Sequence, residues 1–192
     1  MPFLRPVTRL GMLACLLLLG LLAALAVPWM YARAAIPKPP SAERLSAATR
    51  QQVGAAYVVA RWRPRSAERV GGLARIYHAN LFHAEAERCY ELAERLASQD
   101  YRWPYLRAVL AETRSAQDVA LTLLMKVVSL RSDYAAAWVR LGNIQFKGNR
   151  LPEAAAAYEQ ARQVSPQDPH ARLGLARVAL GRGATDEARG VL

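Results

Sequence analysis

The sequence predicts an all-α fold: an α-solenoid of about 3.7 helix-turn-helix units, with a capping helix before it and a transmembrane helix at the N-terminus. Three observations carry this. An uncharged run fills residues 10–27, a period of 34 residues runs on from residue 67, and small side chains recur at fixed places within each period. The chain has 192 residues, 53% of them hydrophobic, which excludes a disordered tail and leaves room for one ordinary domain plus a short appendage. Its formal charge of +11 is unevenly spread. Residues 1–66 hold nine Lys/Arg against one acid, Glu43, whereas residues 67–192 hold seventeen against fourteen. A basic excess that flanks the apolar run and leaves the repeat body nearly neutral suits lipid headgroups better than a nucleic-acid groove.

Leu10 to Val27 carries no charge; Arg5 and Arg9 precede it, and Trp29 and Tyr31 follow. At ~1.5 Å per residue this run reaches ~27 Å, enough for a bilayer core, and the aromatics stand where interfacial rings are expected. The expectation is a tail over 1–9 and a single-pass signal-anchor over 10–31. A cleaved leader competes with it, because Ala24-Leu25-Ala26 and Ala32-Arg33-Ala34 both read as A-x-A sites. The run exceeds the usual apolar core of a leader, ~7–15 residues, which favours the anchor. Met12-Leu13-Ala14-Cys15 is a poor lipobox. Arg5, Arg9 and the terminal amine face Arg33, Lys38 and Arg44 across the run, so charge alone does not orient it. The short tail favours tail inside and domain outside.

Ile36-Pro37-Lys38-Pro39-Pro40 predicts a stiff, extended linker over 32–40, since proline locks φ and disfavours helix at the residue before it. Ser41 is then the expected N-cap of a leader helix within 41–66, with Glu43 in its first turn and Arg44 where a capping box wants Glu or Gln. The basic, aromatic cluster Arg61-Trp62-Arg63-Pro64-Arg65 closes this stretch. As a helix end its cations suit the C-terminal dipole; as a patch they suit anionic lipid heads.

Units of 34 residues start at Ala67, Tyr101, Ala135 and Pro169 with no insertion, giving 67–100, 101–134, 135–168 and an incomplete 169–192. The seventh position reads Leu73, Arg107, Leu141, Leu175, and the eighth reads Ala74, Ala108, Gly142, Ala176. The twentieth is always alanine: Ala86, Ala120, Ala154, Ala188. The twenty-fourth is Tyr90, Leu124, Tyr158 and Leu192. Small residues at eight and twenty predict two helices crossing closely there, with large residues filling the space on either side. On these positions the chain resembles the tetratricopeptide repeat family. Unit 135–168 carries it best, through Trp138, Leu141, Gly142, Ala154, Tyr158, Ala161 and Pro166, with Gln145 in place of the usual tyrosine. Unit 67–100 supplies Leu73, Ala74, Tyr77, Ala86, Tyr90 and Ala93. In unit 101–134, Pro104 and Arg107 take the Trp and Leu positions, so its first helix is expected to shift by a residue and bury Leu106 or Leu110. The fourth unit keeps Leu175, Ala176, Gly183 and Ala188, and stops ten residues short of a full period without a polar cap. A covering partner chain or a longer array are the two readings, and the ending within a motif favours the second.

No chemistry-bearing constellation emerges. Cys15 and Cys89 are too few for a disulfide framework. His78 and His83 lie five apart, which matches no zinc spacing, and neither a P-loop nor a dinucleotide fingerprint occurs. Gly71-Gly72 is read as permitting close helix approach. No enzyme activity, metal or cofactor is therefore expected.

The resemblance places binding on the first helices, at positions two, five, nine and twelve of each unit. In unit 67–100 these are Glu68, Gly71, Arg75 and His78, and in unit 101–134 Arg102, Tyr105, Val109 and Glu112. Ala136, Val139, Asn143 and Phe146 follow, then His170, Leu173, Arg177 and Leu180. The candidate peptide-binding groove is Arg75, His78, Arg102, Tyr105, Asn143, Phe146, Leu173 and Arg177, apolar anchors among arginines suited to acidic groups. The family's Lys/Asn carboxylate clamp is not reproduced, since Val139 stands where its lysine belongs. The implied function is a membrane-anchored scaffold for a protein or peptide client, with no nucleic acid and with oligomeric state undetermined. Twenty-three arginines against three lysines, with abundant alanine, resemble a GC-rich bacterial genome, and hence a periplasmic domain on an inner-membrane anchor. Such an architecture is similar to cytochrome c maturation and secretion accessory subunits. A soluble exported binding protein, or the docking arm of a longer enzyme, are the alternatives.

Overall fold

The computed structural model describes residues 6–41 and 45–191, and among them every regular element is an α-helix. Arg5, Glu43 and Arg44, which entered the expectations for flanking charge and capping, lie outside the described residues. The chain forms two compact units, Met1–Leu92 and Ala93–Leu192.

In the first unit, α1 spans Pro6–Ala34. Within its stretch Gly11–Ala34 an 18-residue window has a mean hydropathy of 2.4 and none of that window is buried, so by length and composition the helix can cross a bilayer. The helix continues past Tyr31 to Ala34, because nothing before Pro37 opposes it apart from Pro28, which α1 accommodates in its interior. The proline stretch 37–40 has no regular secondary structure, but it is not free. Ile36 is buried, and the Tyr77 hydroxyl donates to the Pro37 carbonyl oxygen at 3.0 Å. Helix α2, Ala47–Trp62, starts later than the sequence suggests. Ser46 caps it, its Oγ accepting from the Thr49 amide at 3.1 Å, whereas Ser41 lies in coil five residues earlier. The cap goes to the serine that directly precedes the alanine run, since only there does Oγ reach the third helical amide. Helix α3, Ala67–Ala79, is capped by Ser66 and packs on α2, with Val70, Leu73, Ala74 and Tyr77 buried. Gly72 does not serve a close approach: a Cβ there would meet only the Arg75 side chain, at 3.9 Å. Helix α4, His83–Leu96, follows, and its residues from Ala93 on, Glu94 among them, belong to the second unit.

The second unit continues with α5 (Arg102–Thr113), α6 (Gln117–Leu130), α7 (Ala135–Lys147), α8 (Leu151–Val164), α9 (Pro169–Gly181) and α10 (Thr185–Val191). Each packs on the next, and α7 also reaches α9. Helix α5 begins at Arg102, one residue into its period, where α3, α7 and α9 begin on the first. Trp103 and Leu110 are buried, Leu106 only half so. Arg107, standing at a leucine position, is kept by a partner: its Nη1 donates to Glu94 Oε2 at 2.7 Å. The small residues sit as their recurrence requires, with Ala86, Ala120 and Ala154 fully buried and Ala188 nearly so. At Gly142 the close neighbour is a ring and not a backbone, since an added Cβ would lie 2.7 Å from Tyr158 Cε1. The turn inside each helix pair carries a left-handed residue at the same place: Leu81, Ser115, Asn149 and Gly183, with φ of 64°, 58°, 56° and 79°.

Candidate functional site

In the first unit, the groove positions of α3 are occupied by groups that already have partners. Arg75 Nη2 donates to Glu68 Oε1 at 3.1 Å on an exposed face. His78 Nδ1 lies 3.5 Å from the Tyr90 hydroxyl, and its ring meets those of His83 and Tyr90 edge-on. Burial, and then the neighbouring His83, hold the His78 pKa below the usual histidine range. Cys89 is buried, and burial pushes its thiol up to about 12, which makes it inert as a nucleophile at neutral pH. Among the described residues, no three His, Cys, Asp or Glu side chains converge as a metal site.

The second unit holds the better-formed site. Tyr105 on α5, Ala136, Val139, Arg140 and Asn143 on α7, and Asp168 and His170 at the start of α9 line one hollow of about 280 Å³. Ala136 and Val139 give it apolar lining. Its polar groups are held by hydrogen bonds, some to residues outside the lining and some within it. Asn143 Oδ1 accepts from the Tyr158 hydroxyl at 2.8 Å, and the amide nitrogen is the side chain's donor. Arg140 Nη1 donates to Glu112 Oε1 at 3.0 Å and Nε to the Tyr105 hydroxyl at 3.1 Å, so its charge is already answered. Asp168 caps α9, its Oδ1 accepting from the His170 amide at 2.8 Å, which leaves Oδ2 as an acceptor at the rim. Tyr134 stands behind this wall, its ring 5.0 Å from both Tyr101 and Tyr105, and burial pushes its hydroxyl up to about 12. The three rings form a packed aromatic surface.

The remaining predicted groove residues divide. Arg177 stacks on Phe146, its guanidinium carbon 4.4 Å from the ring centroid, joining the faces of α9 and α7. Leu173 is 50% and Leu180 56% exposed on the same face of α9 as Arg177. Arg102 turns away from this surface into its own helix start, where it clamps Asp100 at 2.7 Å and lies over Trp103. Of the expected groove positions, Tyr105, Ala136, Val139, Asn143 and His170 line this hollow, and Arg140 and Asp168, which the sequence did not single out, line it with them. Asp168 was legible as an N-cap before Pro169. Arg140 occupies position six, which belongs to none of the groove positions the resemblance supplies.

A tetratricopeptide repeat family model matches residues 118–169 and 139–192. No curated protein sequence matches the chain. Among solved structures, MamA is similar at 20% identity and a TM-score of 0.69, over 74% of this chain and 84% of that one. The first TPR of Spaghetti (RPAP3), bound to the HSP90 peptide SRMEEVD, is similar at 22% identity and a TM-score of 0.58, over 62% and 94%. YrrB, a TPR protein with an unusual peptide-binding site, reaches 15% identity and a TM-score of 0.63, over 75% and 74%. At such identities the likeness is one of fold.

Proposed function

We propose that this chain, a tetratricopeptide-repeat protein, is a membrane-anchored scaffold that holds an extended segment of another protein along α5, α7 and α9. The observation that carries this reading is Asn143. Its Oδ1 is held by the Tyr158 hydroxyl, and it lines the hollow together with the apolar Ala136 and Val139 and the carboxylate Asp168. An extended peptide needs a donor for a main-chain carbonyl, an acceptor for an amide, and apolar contact between them; the hollow offers all three. Phe146 beneath Arg177, with exposed Leu173, supplies an aromatic and an aliphatic anchor further along the face. Peptide binding in the RPAP3 domain and in YrrB supports the reading by analogy of fold. The arginines argue against a ligand chosen chiefly for acidic groups, since Arg75, Arg102 and Arg140 are each paired with a carboxylate. With α1 in the inner membrane of a bacterium, the short tail stays in the cytoplasm and the repeats work in the periplasm, in the assembly or maturation of an exported partner.

The test is site-specific photocrosslinking from Phe146 in intact membranes, followed by the same capture with Asn143→Ala and Tyr105→Ala in place. A discrete partner should be captured, and the two substitutions together should lower its yield at least tenfold, as loss of central anchors does. Unchanged capture with both, in a chain that keeps its helical circular dichroism, removes this face from the account.

A further inference from the structure

Helix α2 presents an exposed stripe that no other part of its unit covers. At about 100° per residue, Gln51, Ala55, Val58, Val59 and Trp62 fall within an arc of roughly 100°, and all five are exposed. Trp62 is 76% accessible, Val58 53% and Val59 43%. A face turned to water ordinarily carries charge; this one carries none and ends in tryptophan. The charges lie beside it. Residues 45–66 contain Arg50, Arg61, Arg63 and Arg65 and no acid, and among the described residues no carboxylate pairs with Arg63 or Arg65. Arg61 folds back over Tyr57, with Nη1 3.2 Å from the hydroxyl, at the edge of the stripe.

We infer that α2 lies in the plane of a bilayer surface bearing anionic phospholipid headgroups, with Val58, Val59 and Trp62 entering the interface and Arg63 and Arg65 on the phosphates. The chain places it there. Twelve residues at most separate the end of α1 from α2, a reach of no more than ~40 Å. That reach is shortened further, because Ile36 and Pro37 are seated on the unit and the Tyr77 hydroxyl holds the Pro37 carbonyl. Tyr77 belongs to α3, and α3 packs on α2, so the α2–α3 hairpin is held at the point where the chain leaves α1. An apolar stripe closed by tryptophan and bordered by arginine is the composition of an interfacial helix. A protein ligand would have to offer a flat apolar surface with anionic borders at the same height above the membrane; the bilayer offers both there already. This inference rests on α1 being an anchor.

The experiment takes the full chain in vesicles of phosphatidylcholine, alone or mixed with phosphatidylglycerol, with lipid brominated near the headgroup as quencher. Subtracting the Trp62→Phe variant isolates the emission of Trp62, and subtracting Trp29→Phe isolates that of the anchor. Trp62 should be quenched and blue-shifted in the mixed vesicles, and Arg63→Gln with Arg65→Gln should lower the contact equilibrium roughly tenfold or more. Quenching of Trp29 without quenching of Trp62 overturns the inference and leaves the anchor standing. If neither is quenched, the anchor fails and the inference with it. Trp62 quenching that ignores both phosphatidylglycerol and the glutamines overturns the assignment to anionic headgroups. Trp62 that stays open in vesicles but becomes protected when the crosslinked client is present makes the stripe a protein contact instead.

Discussion

Tyr158 is gripped by two glycines, and the grip sets the spacing of α7 and α9. A Cβ at Gly142 would lie 2.7 Å from its ring, and one at Gly174 2.4 Å, while the ring itself is fully buried and its hydroxyl is held by Asn143. In an open helix interior, Gly to Ala gains ~1 kcal/mol. Gly54 in α2 is such a place, with nothing within 4 Å of an added Cβ. Gly54→Ala should therefore raise the melting temperature, whereas Gly174→Ala should lower stability by about 1–2 kcal/mol net, overpacking exceeding the propensity gain. Thermal melts of the two variants should move in opposite directions; parallel shifts would refute the grip. Gly142 was legible because position eight is small in every unit. Gly174 was not, since position six reads Gly72, Leu106, Arg140 and Gly174 and has no pattern to notice.

At the scale of helices, one carboxylate ties three of them. Glu94 on α4 accepts from Arg107 Nη1 on α5 at 2.7 Å and from Lys126 Nζ on α6 at 2.6 Å. Burial works to raise its pKa, but the bonds from Lys126 and Arg107 outweigh it and hold the carboxyl below its ordinary range. The unfolded chain thus protonates Glu94 at higher pH than the folded one does. Its stabilisation is complete above the ordinary carboxylate range and is lost as pH falls through the depressed value. Glu94→Gln should lower the melting temperature at neutral pH, by the loss of about 1.5–3 kcal/mol, and flatten the decline on the acid side. An acid limb as steep as the parent's would show that the tie contributes nothing. The sequence signalled the trouble in this unit, an arginine where leucine belongs, and the one-residue shift of α5 followed. The remedy lay thirteen residues upstream on another helix, where no local pattern points. The left-handed turn at Leu81 escaped notice for a similar reason: its place is plain in Gly183 and Asn149, but leucine is no signal for positive φ.

Over the whole chain, charge and apolar surface are sorted by region. The basic excess lies in residues 1–66, around an unburied apolar helix, and the repeats are nearly neutral. An anchored chain should remain in the membrane pellet through alkaline carbonate and keep its N-terminal segment by intact mass. A mature chain that begins after Ala26 or Ala34 and stays in the supernatant would make α1 a removed leader instead.

What the sequence determined by itself is the ladder of helix pairs, their 34-residue step, the buried alanines and the apolar N-terminal run. Each depends on residue type and spacing along the chain, which one dimension contains in full. Only the tertiary structure decided which polar groups are spent and which are available. Arg140 is answered by Glu112, Asn143 is turned by Tyr158, and Pro37 is held by Tyr77 forty residues away. Those outcomes depend on distances between separate helices, and a repeat period carries no information about side chains that differ from one repeat to the next.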